Sequence, residues 1–182
     1  KTSEPLVDTI VTSPKGRAIQ MNQGARQAKG SILWFLHSDT LIPSGADQVI
    51  EQYCSENTSH WGRFDICLTG KHILFRIIER LVNFRSRITG IATGDQGIFI
   101  RKDIYDQMGG FKEIPLMEDI EISRRLIKQF GRPICLKQKL TTSSRRWEKH
   151  GIIKTVLLMW RLRLAYFLGT PADQLAKYYP NN

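Results

Sequence analysis

The chain has few cysteines and no long apolar run, and these two features exclude several classes of protein. Its 182 residues include three cysteines, Cys54, Cys67 and Cys135, and none of them forms a C-x-x-C pair. This odd number argues against a disulfide framework and a zinc site, so we expect a reducing, cytoplasmic compartment. No apolar stretch reaches the roughly 18 to 20 residues that span a bilayer, and the N-terminus does not resemble a signal peptide. The sequence therefore predicts a protein that is soluble or peripheral to a membrane.

Acidic residues are scarce relative to basic ones. The chain carries 27 lysines and arginines against 17 aspartates and glutamates, which gives a formal net charge of +10. Such an excess implies an anionic partner: a nucleotide, a phospholipid surface, a nucleic acid or an acidic glycan. The length suits a single domain with a substantial core, and no internal repeat or low-complexity linker interrupts it.

Hydrophobic periodicity alternates between the two regular structures along the chain. Period-2 patterns and short apolar runs predict strands at 7–12, 32–36, 61–68, 97–100 and 134–140. Helical periodicity predicts helices at 17–29, 44–54, 71–88, 103–108, 118–129 and 152–168. In the helix at 44–54, we expect Val49, Ile50 and Tyr53 to point inward. This alternation predicts an α/β layered domain.

One predicted strand and two predicted helices are amphipathic, and the sequence alone does not show what their second faces contact. The strand at 61–68 alternates strictly, so we expect Arg63, Asp65 and Cys67 to lie on a wetter face than its apolar side chains. The helices at 71–88 and 152–168 carry apolar stripes beside lysines and arginines. Core packing is the favoured explanation of these stripes, and binding to a membrane surface is the alternative.

The apolar run 32–36 stops at His37-Ser38-Asp39-Thr40. A buried strand that ends in this way delivers a carboxylate to the edge of the sheet, where ligands of open α/β sheets bind. Asp39 could there hold a divalent cation on a diphosphate, with His37 on the same side. The alternative, at about even odds, is that Asp39 caps a turn leading to Pro43.

Polar residues also cluster at the start of the first predicted helix. The N–H groups of that helix, together with Arg17, Gln20 and Asn22, could hold a phosphate or a base edge. The alternative is an ordinary solvated helix start.

Two further clusters contain acids that could take part in chemistry. Asp95 and Gln96 lie between two glycines, where Asp95 could accept hydrogen bonds from sugar hydroxyls or cap the turn. Glu118 and Asp119 open a helix, where the helix dipole alone would favour them. As a catalytic pair, one would act as general base toward a hydroxyl and the other would orient it.

The order of these clusters resembles that of family 2 glycosyltransferases, and most closely the subfamily termed transferase 2, rSAM/selenodomain-associated. The resemblance covers essentially the whole chain and is carried by the segments GRAIQMNQGA, FLHSDT, GDQGIFIRK, GGF, MEDIEISRRL and SSRRWEKHG. It implies the nucleotide-diphospho-sugar transferase fold, called GT-A: a central mixed, mainly parallel sheet flanked by helices.

The resemblance also implies roles for individual residues. Asp39 matches the last acid of the family's D-x-D motif, which binds the metal and the diphosphate, and His37 stands in place of the first acid. Asp119 matches the catalytic base of inverting members, with Glu118 beside it. Asp95 matches an acid near the donor sugar or the acceptor. Such roles require Asp39 and Asp119 to open onto one cleft.

The remaining motif is basic and only partly matches the family. Arg146-Trp147 resembles the end of the Q-x-x-R-W motif of processive members, although Ser143 replaces its glutamine. Arg145 or Arg146 could stabilise the leaving diphosphate. The family's first two nucleotide-binding strands have no match, so we expect one incomplete domain at 1–182, with an amphipathic helix and tail at 150–182.

Together these patterns predict a metal-dependent, inverting glycosyltransferase. The expected cofactor is Mn²⁺ or Mg²⁺, and the expected partners are a nucleotide-sugar donor and a sugar or lipid-linked acceptor, with an anionic membrane surface as a further partner. The alternatives are a basic module that binds nucleic acid or membrane without catalysis, and a nucleotidyltransferase. Nucleic acid is disfavoured because the aromatic residues are not interleaved with basic ones along a strand.

Overall fold

A four-stranded mixed sheet forms the centre of the protein in a computed structural model, which describes residues 7–56 and 60–179. The sheet order is β1-β3-β2-β4, and β3 runs antiparallel to both of its neighbours whereas β2 and β4 are parallel. Three strands therefore point the same way, and the expected mixed α/β architecture is confirmed. The strands are β1 (Ile32–Trp34), β2 (Trp61–Leu68), β3 (Phe99–Arg101) and β4 (Ile134–Thr142).

The described residues also form eight α-helices and a 3₁₀ turn at Gly94–Gln96. Their positions agree with the predicted helices to within a few residues, and α6 and α8 are additional. The helices are α1 (Arg17–Gln27), α2 (Ala46–Glu56), α3 (Ile73–Thr89), α4 (Lys102–Gln107), α5 (Glu118–Phe130), α6 (Arg145–His150), α7 (Ile152–Phe167) and α8 (Ala172–Ala176).

Helices cover both faces of the sheet, as the alternation of side chains along β3 demonstrates. Phe99 packs in a cluster with Ile50 of α2, whereas Ile100 packs in another with Ile122 of α5. Successive side chains of a strand point to opposite faces, so α2 and α5 lie on opposite sides. On α2, Ile50 is buried as expected, but the prediction for Tyr53 is wrong, because its side chain is 40% exposed.

The strand predicted at 7–12 is absent. These residues have no strand structure, and all six are exposed. A strand is stable only when a neighbour satisfies its N–H and C=O groups, and the strand nearest in sequence, β1, pairs instead with β3. Alternating apolar residues alone therefore misled the prediction.

The predicted wetter face of β2 is also wrong, because α3 covers it. Arg63 is fully buried and forms an ion pair with Asp65. The other oxygen of Asp65 lies 2.6 Å from a guanidinium nitrogen of Arg87 on α3. A polar face of β2 is thus retained in the interior, where Asp65 forms ion pairs with two arginines.

The polar contacts between β2 and α3 have a cause in the sheet. The short β3 pairs only with the first two residues of β2, so later N–H groups of β2 lack a strand partner on that side. Side chains of α3 replace it: the Ile66 N–H donates to Asn83 Oδ1 at 2.9 Å, and the Leu68 N–H donates to Glu79 Oε1 at 2.6 Å. The inward face of α3 is polar because it completes this edge.

The core explanation of the apolar stripes on α3 and α7 is wrong for most of their residues. Ile78 of α3 and Leu162 of α7 are buried, but Ile73, Phe84 and Trp160 are each more than 60% exposed. The polar contacts with β2 occupy the side of α3 that an apolar face would otherwise take. Within the parts of the chain that the structure describes, none of the helices combines the length and apolar content that crossing a bilayer requires.

Candidate active site

A cleft of about 1180 Å³ opens beyond the end of β1. Residues from α1, α5, α6 and α7 and from the Gly94–Gln96 turn line it. Asp39 and Asp119 both belong to this lining, so the expectation that they open onto one cleft is confirmed. Nine residues singled out from the sequence line the cleft: Arg17, Gln20, His37, Asp39, Asp95, Asp119, Arg145, Arg146 and Trp147.

Asp119 is held in a fixed orientation in the first turn of α5. Its Oδ2 accepts a hydrogen bond from the Gly94 N–H at 3.0 Å, and its Oδ1 accepts one from the Ile120 N–H at 2.8 Å. A carboxylate oxygen has two lone pairs, so each oxygen keeps acceptor capacity toward the cleft. Asp119 can therefore receive a proton from a group bound there.

The backbone just before the two acids is strained. Met117 has a φ of 68°, a left-handed conformation that is uncommon for a residue with a side chain, and it is buried. Such a conformation costs about 1 to 3 kcal/mol and persists only where packing enforces it, often at functional sites. Packing of Met117 with Leu116 and Ile120 supplies that constraint and fixes the direction in which α5 begins.

Glu118 lies behind the cleft and not in its lining. It is 2% exposed, and its Oε1 is 3.0 Å from Nε of Arg17, whose side chain is 42% exposed. Burial and the negative charge of Asp119 raise the pKa of Glu118 to about 7, although Arg17 opposes this shift. Glu118 is thus positioned to hold the Arg17 guanidinium at the wall of the cleft.

Asp39 occupies a tight turn at the cleft. The Thr40 N–H donates to the carbonyl of His37 at 3.1 Å, which closes the turn, and Asp39 is exposed. His37 packs against Gly94, where an added Cβ would lie 2.6 Å from Nε2 of the imidazole. A side chain at position 94 would therefore displace the imidazole from this contact.

The residues near Asp39 could hold a cation only with help from a ligand. Among the described residues, no group of three or more histidines, cysteines, aspartates or glutamates is arranged to bind a metal ion. Asp39 and His37 offer one carboxylate and one imidazole. Mg²⁺ commonly binds through one or two protein carboxylates, with substrate phosphates and water as its other ligands, and this thin donor set fits such a mode.

A second part of the cleft lining, which we call the basic wall, is formed by Arg145, Arg146 and Arg163. Arg145 and Arg146 open α6, and the Arg146 guanidinium lies 4.0 Å from the ring centroid of Tyr179 and donates to its hydroxyl. Arg163 of α7 also lines the cleft, and its Nε is buried without a hydrogen-bond partner among the described residues. This wall can bind an anion such as a diphosphate.

Arg85 of α3 completes the charge distribution behind the cleft. Its Nε and one terminal nitrogen are buried without a hydrogen-bond partner among the described residues. Burial and repulsion from Arg163 lower its pKa to about 10, although attraction by Asp95 and Asp119 opposes this shift. Sequence patterns gave no sign of Arg85 or Arg163, because arginines in amphipathic helices usually lie on the solvated face.

Two residues predicted to bind ligand have structural contacts instead of a place in the cleft. Asn22 is buried, donates to the carbonyl of Phe111 at 2.9 Å, and accepts from the Tyr105 hydroxyl at 2.6 Å. Gln96 is fully buried, and its Oε1 accepts from the Thr93 N–H at 3.1 Å. Asn22 joins α1 to the Gly109–Phe111 turn, and Gln96 closes the turn that carries Asp95.

The cleft thus combines three carboxylates with the basic wall in one lining, which suits a reaction that moves a proton and releases an anion. Asp119 can act as a base, Asp39 can contribute to a cation site, and the arginines can bind phosphate oxygens. Models of protein families, curated proteins and solved structures give no match to this chain.

Proposed function

We propose that this chain is a glycosyltransferase domain with the GT-A fold, which transfers a sugar from a nucleotide-diphosphate sugar to an acceptor hydroxyl with inversion. The order of its sequence motifs suggests the family. The observation that carries the proposal is the cleft itself, in which Asp119 shares a lining with Asp39 and the arginines of α6. These groups come from three distant parts of the chain.

The reaction is a direct displacement at the anomeric carbon. Asp119 accepts the proton of the acceptor hydroxyl while the hydroxyl oxygen forms a bond to that carbon. The bond from the carbon to the phosphate oxygen breaks, and its electron pair leaves with the nucleoside diphosphate. Attack from the side opposite the leaving group inverts the configuration. The two N–H groups that bind Asp119 keep its carboxylate in place during the step.

The basic wall stabilises the leaving group. Arg145, Arg146 and Arg163 present fixed positive charge where negative charge grows on the diphosphate. A divalent cation bound at Asp39 and His37, Mn²⁺ or Mg²⁺, would neutralise further charge on the same phosphates. Asp95, on the turn beside Asp119, is available to accept hydrogen bonds from sugar hydroxyls.

The role of Asp119 is tested by Asp119→Asn. Because the amide cannot take up a proton, we expect turnover to fall by about 10²- to 10⁴-fold, while the thermal shift caused by the nucleotide sugar is kept. Nucleoside diphosphate release measures turnover in a screen of nucleotide sugars with Mg²⁺ or Mn²⁺. The matched control is Asp47→Asn, an exposed acid in the first turn of α2 and outside the cleft. Full activity of Asp119→Asn would exclude it as the base.

The cation site is tested by Asp39→Asn. Loss of the carboxylate should weaken donor binding in the presence of metal and make it insensitive to EDTA. If the affinity of Asp39→Asn for the nucleotide sugar equals that of the parent protein with and without EDTA, Asp39 has no such role.

Two rival functions give different products or ligands. A nucleotidyltransferase releases pyrophosphate where a glycosyltransferase releases a nucleoside diphosphate, so product analysis separates them. A nucleic-acid module would be protected against thermal unfolding by oligonucleotides and not by nucleotide sugars. Its binding would weaken steeply with salt.

A further inference from the structure

The helices α3 and α7 expose an unusual amount of apolar surface. Ten of their large apolar side chains are at least 46% exposed, and on each helix they recur every three or four positions, which places them on one stripe. We call the two stripes together the apolar face. Its members are Ile73, Ile77, Leu81, Phe84 and Ile88 of α3 and Ile153, Leu157, Trp160, Leu164 and Phe167 of α7.

The two stripes belong to neighbouring helices. Ile78 of α3 lies in a buried cluster against which Val156 of α7 packs, so the helices are in contact. Leu81 and Trp160 are members of the apolar face and also line the cleft. The apolar face therefore extends to the mouth of the cleft that contains Asp119.

Basic residues border the apolar face, and neither α3 nor α7 carries an exposed acid. Arg80, Lys154 and Arg161 are exposed, and each lies three or four positions from members of a stripe, hence beside it on the helix surface. The single acid of the two helices, Glu79, is buried and paired with Arg76 at 2.8 Å. Two copies of such a face would bring like charges together, which disfavours self-association through it.

We propose that the apolar face docks on an anionic lipid bilayer, with α3 and α7 lying in the plane of the interface. The apolar side chains would enter the boundary of the acyl chains, and the bordering bases would contact lipid phosphates, as in other amphipathic interfacial helices. Trp160 suits this position, because tryptophan favours the headgroup level. Docking would place the mouth of the cleft at the bilayer, so an acceptor attached to a lipid could reach Asp119; this last point rests on the proposed function.

Co-sedimentation with vesicles tests the docking without nucleotide sugar or acceptor. Vesicles of phosphatidylcholine with about one third phosphatidylglycerol should bind the protein, and pure phosphatidylcholine should bind it more weakly, with the difference disappearing at high salt. The double variant Leu157→Gln/Leu164→Gln should lower the partition coefficient about tenfold or more. Its matched control, Leu41→Gln/Ile42→Gln, removes two exposed apolar side chains from a loop outside the apolar face and should bind like the parent.

A second pair of variants tests the charges. Lys154→Gln/Arg161→Gln should lower binding to the anionic vesicles about thirtyfold, since each of the two basic residues contributes about 1 kcal/mol near the surface, and should leave binding to neutral ones unchanged. Lys137→Gln/Lys139→Gln removes the same charge from exposed positions of β4 and should have a smaller effect.

Three outcomes would overturn the proposal. These are absence of binding to anionic vesicles at low salt, equal losses for the test and control variants, and a dimer in sedimentation velocity that Leu157→Gln/Leu164→Gln dissociates. The last result would assign the apolar face to a second copy of the chain. Because none of these measurements uses a nucleotide sugar, failure of docking leaves the proposed transferase activity to its own test.

Discussion

Replacing Glu118 by glutamine should make the stability of the protein depend less on pH. Burial and the neighbouring Asp119 raise the pKa of Glu118 from 4.5 to about 7 in the folded protein. The folded state therefore keeps this proton to higher pH than the unfolded chain does. Between these two values unfolding releases a proton, so the free energy of unfolding falls as the pH rises.

The size of the effect follows from the two pKa values. Since one pKa unit is worth about 1.4 kcal/mol, the rise from 4.5 to about 7 corresponds to about 3 kcal/mol of stability lost above neutral pH. Glu118→Gln keeps the size of the side chain and removes the charge. The variant should match the parent within about 1 kcal/mol near pH 5 and be more stable by about 3 kcal/mol near pH 8.

Urea denaturation of both proteins across this pH range measures the difference directly. Titrating groups that do not interact with Glu118 cancel, because the variant and the parent are compared at each pH. Glu51→Gln, at an exposed position of α2, is the matched control and should show no such dependence. A difference that stays constant with pH, or a variant less stable than the parent near pH 8, would refute the argument that burial and Asp119 outweigh Arg17.

Three other substitutions test contacts near the cleft and in the core. Gly94→Ala should displace the His37 imidazole and weaken nucleotide-sugar binding in thermal-shift titrations. In a protein that already carries His37→Ala, Gly94→Ala should cause no further loss of binding, and additive losses would contradict the contact. Gly62→Ala would place a Cβ 2.3 Å from Cζ of Phe99, so urea denaturation should show a loss of about 1 to 3 kcal/mol; an unchanged midpoint would disprove this crowding. Asp65→Asn leaves two arginines without their shared acid and should cost about 3 to 5 kcal/mol by the same assay, whereas a loss below about 1 kcal/mol would mean that water solvates the site.

Much of the fold could be predicted from local patterns. The apolar face of α1, with Ala18 and Ala25 buried, followed from its spacing, and the buried run that begins at Ile32 marked β1. The acids of the cleft could be located because they follow strand ends or begin helices, where side chains collect at one edge of a sheet.

The rest depended on tertiary pairing that no local pattern contains. The residue spacing of α3 defines both an apolar stripe and a polar side, but it does not indicate which of the two faces β2. That choice depends on the shortness of β3, which leaves N–H groups of β2 without a strand partner. Asn22 and Gln96 lie in polar motifs, but whether such an amide binds a ligand or the chain's own backbone depends on residues such as Phe111 that are far away in sequence. Arg85 and Arg163 were missed for the same reason.

The bonds from α3 to the unpaired part of β2 also determine how this helix is rotated about its long axis. If α3 rolled by half a revolution, its stripe would be buried, but Asn83 and Glu79 would swing away from the Ile66 and Leu68 N–H groups. Each buried N–H group left without a hydrogen-bond partner would lower the stability of the fold by about 1 to 3 kcal/mol. Hydrogen bonding to the open side of β2 thus opposes this rotation of α3.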